Sequence, residues 1–276
     1  MPTATVIGWP INHSRSPLIH GYWLKHYGIA GAYERRPVMP EELPAFVSLL
    51  RRGDLIGSNV TVPHKEAVLA LVDEADGIAR AIGAANTLWT ENGRVLATNT
   101  DAHGFIANLD AALPEWKNTV RVPYVIGAGG AARAVLYALK EAGCDQIRLT
   151  NRSPQRAHEL ARHFGTAVDV VDWAERADRL NDVGLLVNAT TQGMASNPPP
   201  DLPLKGLLGS AIVYDLIYTP LRTSLMVAAE LRGLTTLGGL GMLLHQAVVG
   251  FEHWFGRRPE VTDELFRLVA ADIEGR

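Results

Sequence analysis

Residues 121–133 read RVPYVIGAGGAAR: a short apolar run ends in Gly127-Ala128-Gly129-Gly130-Ala131-Ala132, and an amphipathic helix pattern follows at once. That order suits a dinucleotide pyrophosphate. Gly127 takes the tight turn, Gly129 lets the backbone approach the phosphates, and small Ala132 lets the helix pack closely on the strand. The free amides at the helix start then face the anion. A Gly/Ala-rich turn also joins strands to helices for structural reasons alone, so the residues beyond it decide the reading.

Val135, Leu136, Leu139 and Ala142 recur at helical spacing up to Gly143, a C-cap residue, and the next apolar run, Ile147 to Thr150, stops at Asn151-Arg152-Ser153-Pro154-Gln155-Arg156. The chain thus reads strand, Gly-turn, helix, strand. In a Rossmann unit the end of that second strand meets the adenosine ribose, where an acidic residue accepts from a free 2′-hydroxyl and arginine suits a 2′-phosphate. No Asp or Glu stands at this point; Arg152 and Arg156 do. Their guanidinium forks match phosphate geometry, which favours NADP over NAD, the alternative being two solvated surface arginines.

At 276 residues the chain is long enough for two domains. Twenty-six basic against 29 acidic residues give a net charge of −3 with no long run of one sign, which argues against nucleic-acid binding. Cys144 is the single cysteine, so one chain holds neither a disulfide framework nor a thiolate metal site, and a reducing cytoplasm is compatible. The nine histidines show no HExxH or comparable pairing, so no metal is expected. The N-terminus has no charged, apolar leader pattern, and nowhere do about 18 apolar residues run together. Neither export nor a membrane span is expected.

Outward from the glycine turn, strands and helices alternate, which points to α/β layers. Residues 3–8 read as a strand, followed by a helix with Ser16 as N-cap and Pro17 at its first position. Strands are expected at 32–38 and 56–62, helices at 40–52 and 65–72, and a hairpin from 86–89 and 95–97 across Glu91-Asn92-Gly93. Residues 100–109 lead into a helix. The polar stretch 114–121 lacks periodicity and is a candidate crossing between domains; a hinge before the helix at Ala102 is the alternative. Later strands are expected near 167–171, 185–189, 211–216 and 235–237. Asn197-Pro198-Pro199-Pro200 reads as a surface loop, a helical stripe runs through Leu243, Leu244, Val248, Phe251 and Phe255, and a last helix covers 262–273.

In the first hundred residues, polar groups gather where strands end: Ser14 and Ser16, then Asn59, Thr61 and Lys65, then Asn86 and Thr87, then Asn99, Thr100 and Asp101. Strand ends line the ligand crevice of open α/β sheets, so the set is a candidate site for one small polyhydroxylated molecule. Each residue alone also has a structural role open to it: the serines and Asp101 as helix caps, Asn86 and Asn99 as turn residues.

The motifs INHSRSPLIH, SNVTVPHKEA, GAANT, NTD, GAGGAAR with NRSPQRA, NATTQGM, YDLIYTP and GLGMLLHQA, in this order from about residue 6 to 256, resemble the shikimate dehydrogenase family. The resemblance implies an α/β substrate domain (1–101 plus 239–276), a doubly wound Rossmann-type NADP domain (102–238), C-terminal helices returning to the first domain, and a cleft between two lobes. It implies NADPH-linked reduction of 3-dehydroshikimate to shikimate, with Lys65 and Asp101 as the catalytic pair and His64 incidental. Ser14, Ser16 and Tyr218 would take the substrate carboxylate; Asn59, Thr61, Asn86, Asp101 and Gln246 would bind hydroxyls or hold the pair. The cofactor residues would be Gly127, Ala128, Gly129, Gly130, Ala131, Asn151, Arg152, Ser153, Arg156, Asn188, Ala189, Thr190, Leu216 and Gly239. A small-molecule substrate, no nucleic acid, no membrane, and a monomer or homodimer in the cytoplasm complete the expectation.

Three positions depart from the family's pattern. Ala102 stands where glycine is common, Gly77 stands where some members carry an acid, and Thr191-Gln192 fills a variable pair. Two other readings compete: a quinate/shikimate dehydrogenase of broader substrate or cofactor use, against which Arg152 and Arg156 argue, and a non-catalytic ligand-sensing paralogue, which an intact Lys65 and Asp101 disfavour.

Overall fold

The computed structural model describes residues 1–194 and 197–275. In chain order the elements are β1 (Thr3–Gly8), α1 (Ser16–His26), β2 (Ala32–Pro37), α2 (Leu43–Arg51), β3 (Gly57–Val60), β4 (Glu74–Ala75), α3 (Gly77–Ile82), β5 (Thr87–Glu91), β6 (Arg94–Thr98), α4 (Asp101–Ala112) and α5 (Trp116–Thr119). There follow β7 (Val122–Ile126), α6 (Gly130–Glu141), β8 (Ile147–Thr150), α7 (Pro154–Phe164), β9 (Val168–Val170), β10 (Val183–Asn188), β11 (Ile212–Asp215), α8 (Ser224–Glu230), β12 (Thr235–Gly238), α9 (Gly239–Phe255) and α10 (Asp263–Ile273). Two compact units result, Met1–Gly104 with Leu244–Val269, and Phe105–Leu243 with Ala270–Arg276. Among the described residues no helix is long and apolar enough to cross a membrane.

The first unit is built on a mixed sheet in the order β2-β1-β3-β5-β6-β4. β1 lies parallel to β2 and β3, whereas β3, β5 and β6 alternate in direction. β3 and all but the first residue of β1 are buried, as strands covered on both faces must be. On one side Phe46, Val47 and Leu50 of α2 join Ile7, Val60 and Leu88 in a single apolar cluster. The aromatic rings of α1 and α9, Trp23, Phe251 and Trp254, form a second. Trp254 lies so close to β3 that a Cβ on Gly57 would stand 1.9 Å from its indole nitrogen, which donates to the Leu88 carbonyl at 2.8 Å.

The second unit has six strands in the order β12-β11-β10-β7-β8-β9, every pairing parallel. The chain moves outward from β7 to β9, then crosses back to place β10 beside β7. This is a doubly wound Rossmann-type sheet, and the reversal between β7 and β10 makes the crevice at their carboxyl ends the natural ligand position. Ala132, Val135, Leu136 and Leu139 of α6 are fully buried, the face that the helical spacing predicts.

Several local expectations need correction. The stretch 65–72 is not an α-helix but holds a 3-10 turn at Ala67–Ala70. The Lys65 carbonyl accepts instead from the Ala85 amide at 2.8 Å, a long-range bond that ties Lys65 to the segment before β5. Ser16 is not the N-cap of α1: Arg15 takes that place with no side-chain capping bond, and Ser14 Oγ accepts from the Ser16 amide at 3.3 Å. Residues 114–121 are not featureless, since Trp116 of α5 is buried and donates to Asp110 at 2.7 Å. A single helical turn is too short to leave a periodic signal; the same holds for the short elements β4 and α3, which lie where no element was expected.

Candidate active site and cofactor cradle

Lys65 and Asp101 meet. Lys65 Nζ donates to Asp101 Oδ2 across 2.5 Å, with the two side chains 16% and 9% exposed. Lys65 comes from the turn after β3 and Asp101 from the head of α4, where its backbone amide is held by Asn99 Oδ1 at 3.0 Å. The second carboxylate oxygen, Oδ1, accepts from Asn86 Nδ2 at 2.9 Å. An ammonium group so placed retains further N–H donors beyond the one given to Asp101, and a buried lysine beside a carboxylate can serve as acid and base in turn.

Around this pair stands a buried polar cluster. Asn86 Oδ1 accepts from the Thr100 amide at 2.8 Å and from Thr87 Oγ1 at 3.0 Å. Gln246, on α9, brings its Oε1 to 3.4 Å from both Asn86 Nδ2 and Thr100 Oγ1. Asn59 has its amide engaged at both ends: Oδ1 accepts from the Tyr33 hydroxyl at 2.5 Å, and Nδ2 donates to Thr87 Oγ1 at 3.1 Å and to the Asn86 carbonyl at 3.2 Å. Ser14 is buried on the loop after β1, where Arg35 donates to its carbonyl at 2.8 Å, and Ser16 is buried at the first position of α1. Thr61 is half-buried and its amide bonds the Ile7 carbonyl at 2.9 Å. The His64 ring is turned into the core against the Val38 carbonyl at 2.8 Å, away from Lys65. Tyr218 lies in the second unit, half-buried on the loop after β11.

Sequence reasoning missed Tyr33 and His20. The His20 imidazole stacks on the Tyr33 ring at 4.0 Å with 14° between planes, and Trp23, Phe251 and Trp254 surround it. Burial pushes its pKa down to about 3, against a smaller opposing pull from Asn59. No spacing rule singles out a lone tyrosine on a strand or a histidine inside a helix.

In the second unit, Gly127 has φ +115°, and a Cβ there would stand 3.0 Å from the Ala189 carbonyl oxygen, so both backbone and packing demand glycine. Gly129 is the extended N-cap of α6, and apart from its chain neighbours no atom of the described residues lies within 4 Å of the position its Cβ would take. Protein packing therefore does not require glycine there; an added methyl would fill the concavity before the helix amides, the place a pyrophosphate fits. Asn188 shapes the facing loop: its Oδ1 accepts from the Thr190 amide and hydroxyl at 3.1 and 2.7 Å, and its Nδ2 donates to Asp215 at 3.0 Å. Burial raises the Asp215 carboxyl, which Thr223, the Ile217 amide and Asn188 oppose. Leu216 is half-buried beside Gly239, where a Cβ would strike the Leu216 carbonyl at 2.0 Å. Beyond β8, Asn151 donates to the Ser153 carbonyl at 2.9 Å, and Arg152 and Arg156 are exposed with no carboxylate partner among the described residues. Two unpaired guanidinium groups at this point fit a ribose carrying a 2′-phosphate.

His20 yields a stability expectation. Its folded pKa lies below the unfolded value of about 6.5, so the unfolded chain binds the extra proton and stability is lost as pH falls from there toward 3. Urea unfolding between pH 7 and 5 should show a shallower pH dependence for His20→Phe than for the parent, by up to about 1.4 kcal/mol per pH unit.

Residues 6–88 match the shikimate dehydrogenase substrate binding domain, residues 116–195 match shikimate / quinate 5-dehydrogenase, and residues 239–263 match the shikimate 5′-dehydrogenase C-terminal domain. The chain is 48% identical over 276 residues to the shikimate dehydrogenase (NADP(+)) of Azorhizobium caulinodans, covering 100% of this chain and 98% of that one. Among solved structures, it is similar to the shikimate 5-dehydrogenase of Thermus thermophilus in complex with NADP(H) and shikimate, with 36% identity, a TM-score of 0.86, and 99% and 100% of the two chains covered. It is also similar to the quinate dehydrogenase of Corynebacterium glutamicum in complex with NAD, with 30% identity, a TM-score of 0.90, and 98% and 99% covered. Three family domains in order, joined to end-to-end identity of this extent, mean that the chain belongs to the shikimate dehydrogenase family.

Proposed function

We propose that this protein is an NADP-dependent shikimate dehydrogenase, which reversibly reduces the ketone of 3-dehydroshikimate to the hydroxyl of shikimate. The observation that carries the reading is the contact of Lys65 with Asp101 inside a buried polar cluster. When bound, NADPH supplies the hydride and NADP takes it up in the reverse direction. Lys65 gives a proton to the oxygen of the reacting carbon and recovers it when shikimate is oxidised. Asp101 aims the ammonium group, and Asn86 and the Asn99 side chain fix Asp101. Neutral hydroxyls of Ser14, Ser16 and Tyr218 take the substrate carboxylate, a weaker clamp than arginine and so one that lets product leave. Thr61, Asn86 and Gln246 take ring hydroxyls. Asn59, with both amide ends engaged inside the protein, holds the cluster rather than the substrate.

Gly127 to Ala131 hold the pyrophosphate, Asn151 to Ser153 with Arg156 the adenosine 2′-phosphate, and Asn188 to Thr190, Leu216 and Gly239 the nicotinamide half. A cytoplasmic location, compatible with the single cysteine, belongs to the same reading. The likeness to a quinate dehydrogenase in complex with NAD supports a second reading, with quinate as substrate. The unpaired Arg152 and Arg156 favour the first.

Initial rates of oxidation for shikimate and quinate, each with NADP and with NAD, separate the two. Shikimate with NADP should have the highest kcat/KM of the four pairs; any other winner means that substrate or cofactor is misassigned. Lys65→Ala should lower kcat by about 10²- to 10⁴-fold with little change in shikimate affinity by calorimetry. Loss of affinity with turnover intact would make Lys65 a binding group instead. Arg152→Ala should raise the KM for NADP far more than that for NAD, and equal changes would place this guanidinium away from the 2′-phosphate.

A further inference from the structure

We propose that Tyr33 and Thr87 are positioning residues: with Asn59 and Asn86 they form a one-way chain of hydrogen-bond donations that ends on Asp101 Oδ1 and holds that carboxylate against Lys65. The proposal rests on the reading of Lys65 and Asp101 as the acid–base pair.

Two backbone groups fix the orientation of both side-chain amides. Asn59 places one end of its amide against the Asn86 carbonyl at 3.2 Å. A carbonyl only accepts, so that end is Nδ2, and the other end, Oδ1, must accept from the Tyr33 hydroxyl at 2.5 Å. Asn86 places one end of its amide against the Thr100 amide at 2.8 Å. A backbone N–H only donates, so that end is Oδ1, and Nδ2 faces Asp101 Oδ1 at 2.9 Å. The Thr87 hydroxyl stands between the two amides. It accepts from Asn59 Nδ2 at 3.1 Å and gives its one proton to the nearer acceptor, Asn86 Oδ1 at 3.0 Å, rather than to Thr100 Oγ1 at 3.3 Å. Donation therefore runs from Tyr33 to Asn59, Thr87, Asn86 and Asp101 without a reversal.

Bonds arranged head to tail polarise one another in a low-dielectric interior, and here the negative charge sits at the accepting end. Thr87 is fully buried, so it acts through its neighbours alone. At the far end the His20 ring, stacked on Tyr33 at 4.0 Å, fixes the plane of the phenol. β2 is thereby linked to the carboxylate at the head of α4 through side chains of β3, β5 and the residue before β5.

The test uses Thr87→Val, which keeps shape and strand preference and removes only the hydroxyl, together with Tyr33→Phe, Thr87→Ser and the Tyr33→Phe/Thr87→Val double variant. Thermal melts confirm folding, and kcat and KM for shikimate are measured with saturating NADP. The expected result is a kcat about tenfold lower for Thr87→Val, below the ~100-fold that a 1 Å misplacement costs, with KM within twofold of the parent. Tyr33→Phe changes kcat in the same sense, Thr87→Ser recovers it to within threefold, and the double variant is no more than twofold slower than the slower single. The proposal fails if Thr87→Val keeps kcat within twofold, if the serine gives no recovery, or if the two losses multiply. A Thr87→Val chain that does not fold leaves the decision to Tyr33→Phe, whose unchanged kcat overturns the chain of donations. A parent enzyme that does not oxidise shikimate with NADP overturns the functional reading, and this proposal with it.

Discussion

The orientation of one side-chain amide, that of Asn86, holds the candidate active site together. Its oxygen is claimed by the Thr100 amide and its nitrogen by Asp101, so the carboxylate faces a donor on one oxygen and the Lys65 ammonium on the other. Asn86, Thr100 and Asp101 are buried and Lys65 partly so, and a buried polar group left without a partner costs about 1–3 kcal/mol. The cluster is accordingly an all-or-none arrangement: its members direct one another, and a partly satisfied version would be worse than an apolar core. The arrangement rests on the hairpin of β5 and β6, in which Thr87 stands opposite Thr98 and the Asn86 amide donates to the Thr98 carbonyl at 3.1 Å. A slip of one residue would turn every side chain of the strand to the opposite face.

Strand direction explains why the chemistry collects at one edge of the first unit. β1 and β3 run parallel, so the Ser14/Ser16 loop and the Thr61/Lys65 turn both follow carboxyl ends on the same side. β5 runs against β3 and β6 against β5. The beginning of β5 therefore lies where β3 ends, and the end of β6 lies there too, which brings Asn86 and Asn99 to Asp101 to that edge. The second unit reaches a comparable result with parallel strands alone: the reversal between β7 and β10 sets the glycine turn beside Asn188 to Thr190, and the Ala189 amide bonds the Ile126 carbonyl at 2.9 Å.

Much of this was legible along the chain because it depends on near neighbours. The glycine turn, the helix after it and the basic segment beyond β8 follow from local conformational preference and periodicity, and the structure places Gly127 at a positive φ as a tight turn requires. The motif residues were legible as a set by resemblance, yet the contact of Lys65 with Asp101 spans 36 residues and that of Asn86 with Gln246 spans 160. No spacing rule reaches so far. Ser16 illustrates the opposite failure: Ser-Pro reads as a helix cap, but Arg15 stands at the cap and the Ser16 amide donates to Ser14 Oγ. The turn at Lys65 failed likewise, because a bond from Ala85 competes with the local helix signal.

By itself the sequence determined the alternation of strands and helices, the glycine turn and the kinds of side chain available to a site, since backbone preference and amphipathic spacing act over a few residues. Only the tertiary structure decided which polar groups face one another, that Tyr33 joins them with the His20 ring stacked on it, and in which direction the hydrogen bonds point. Those outcomes depend on sheet register and on the pairing of buried donors with acceptors, conditions set by segments far apart in the chain.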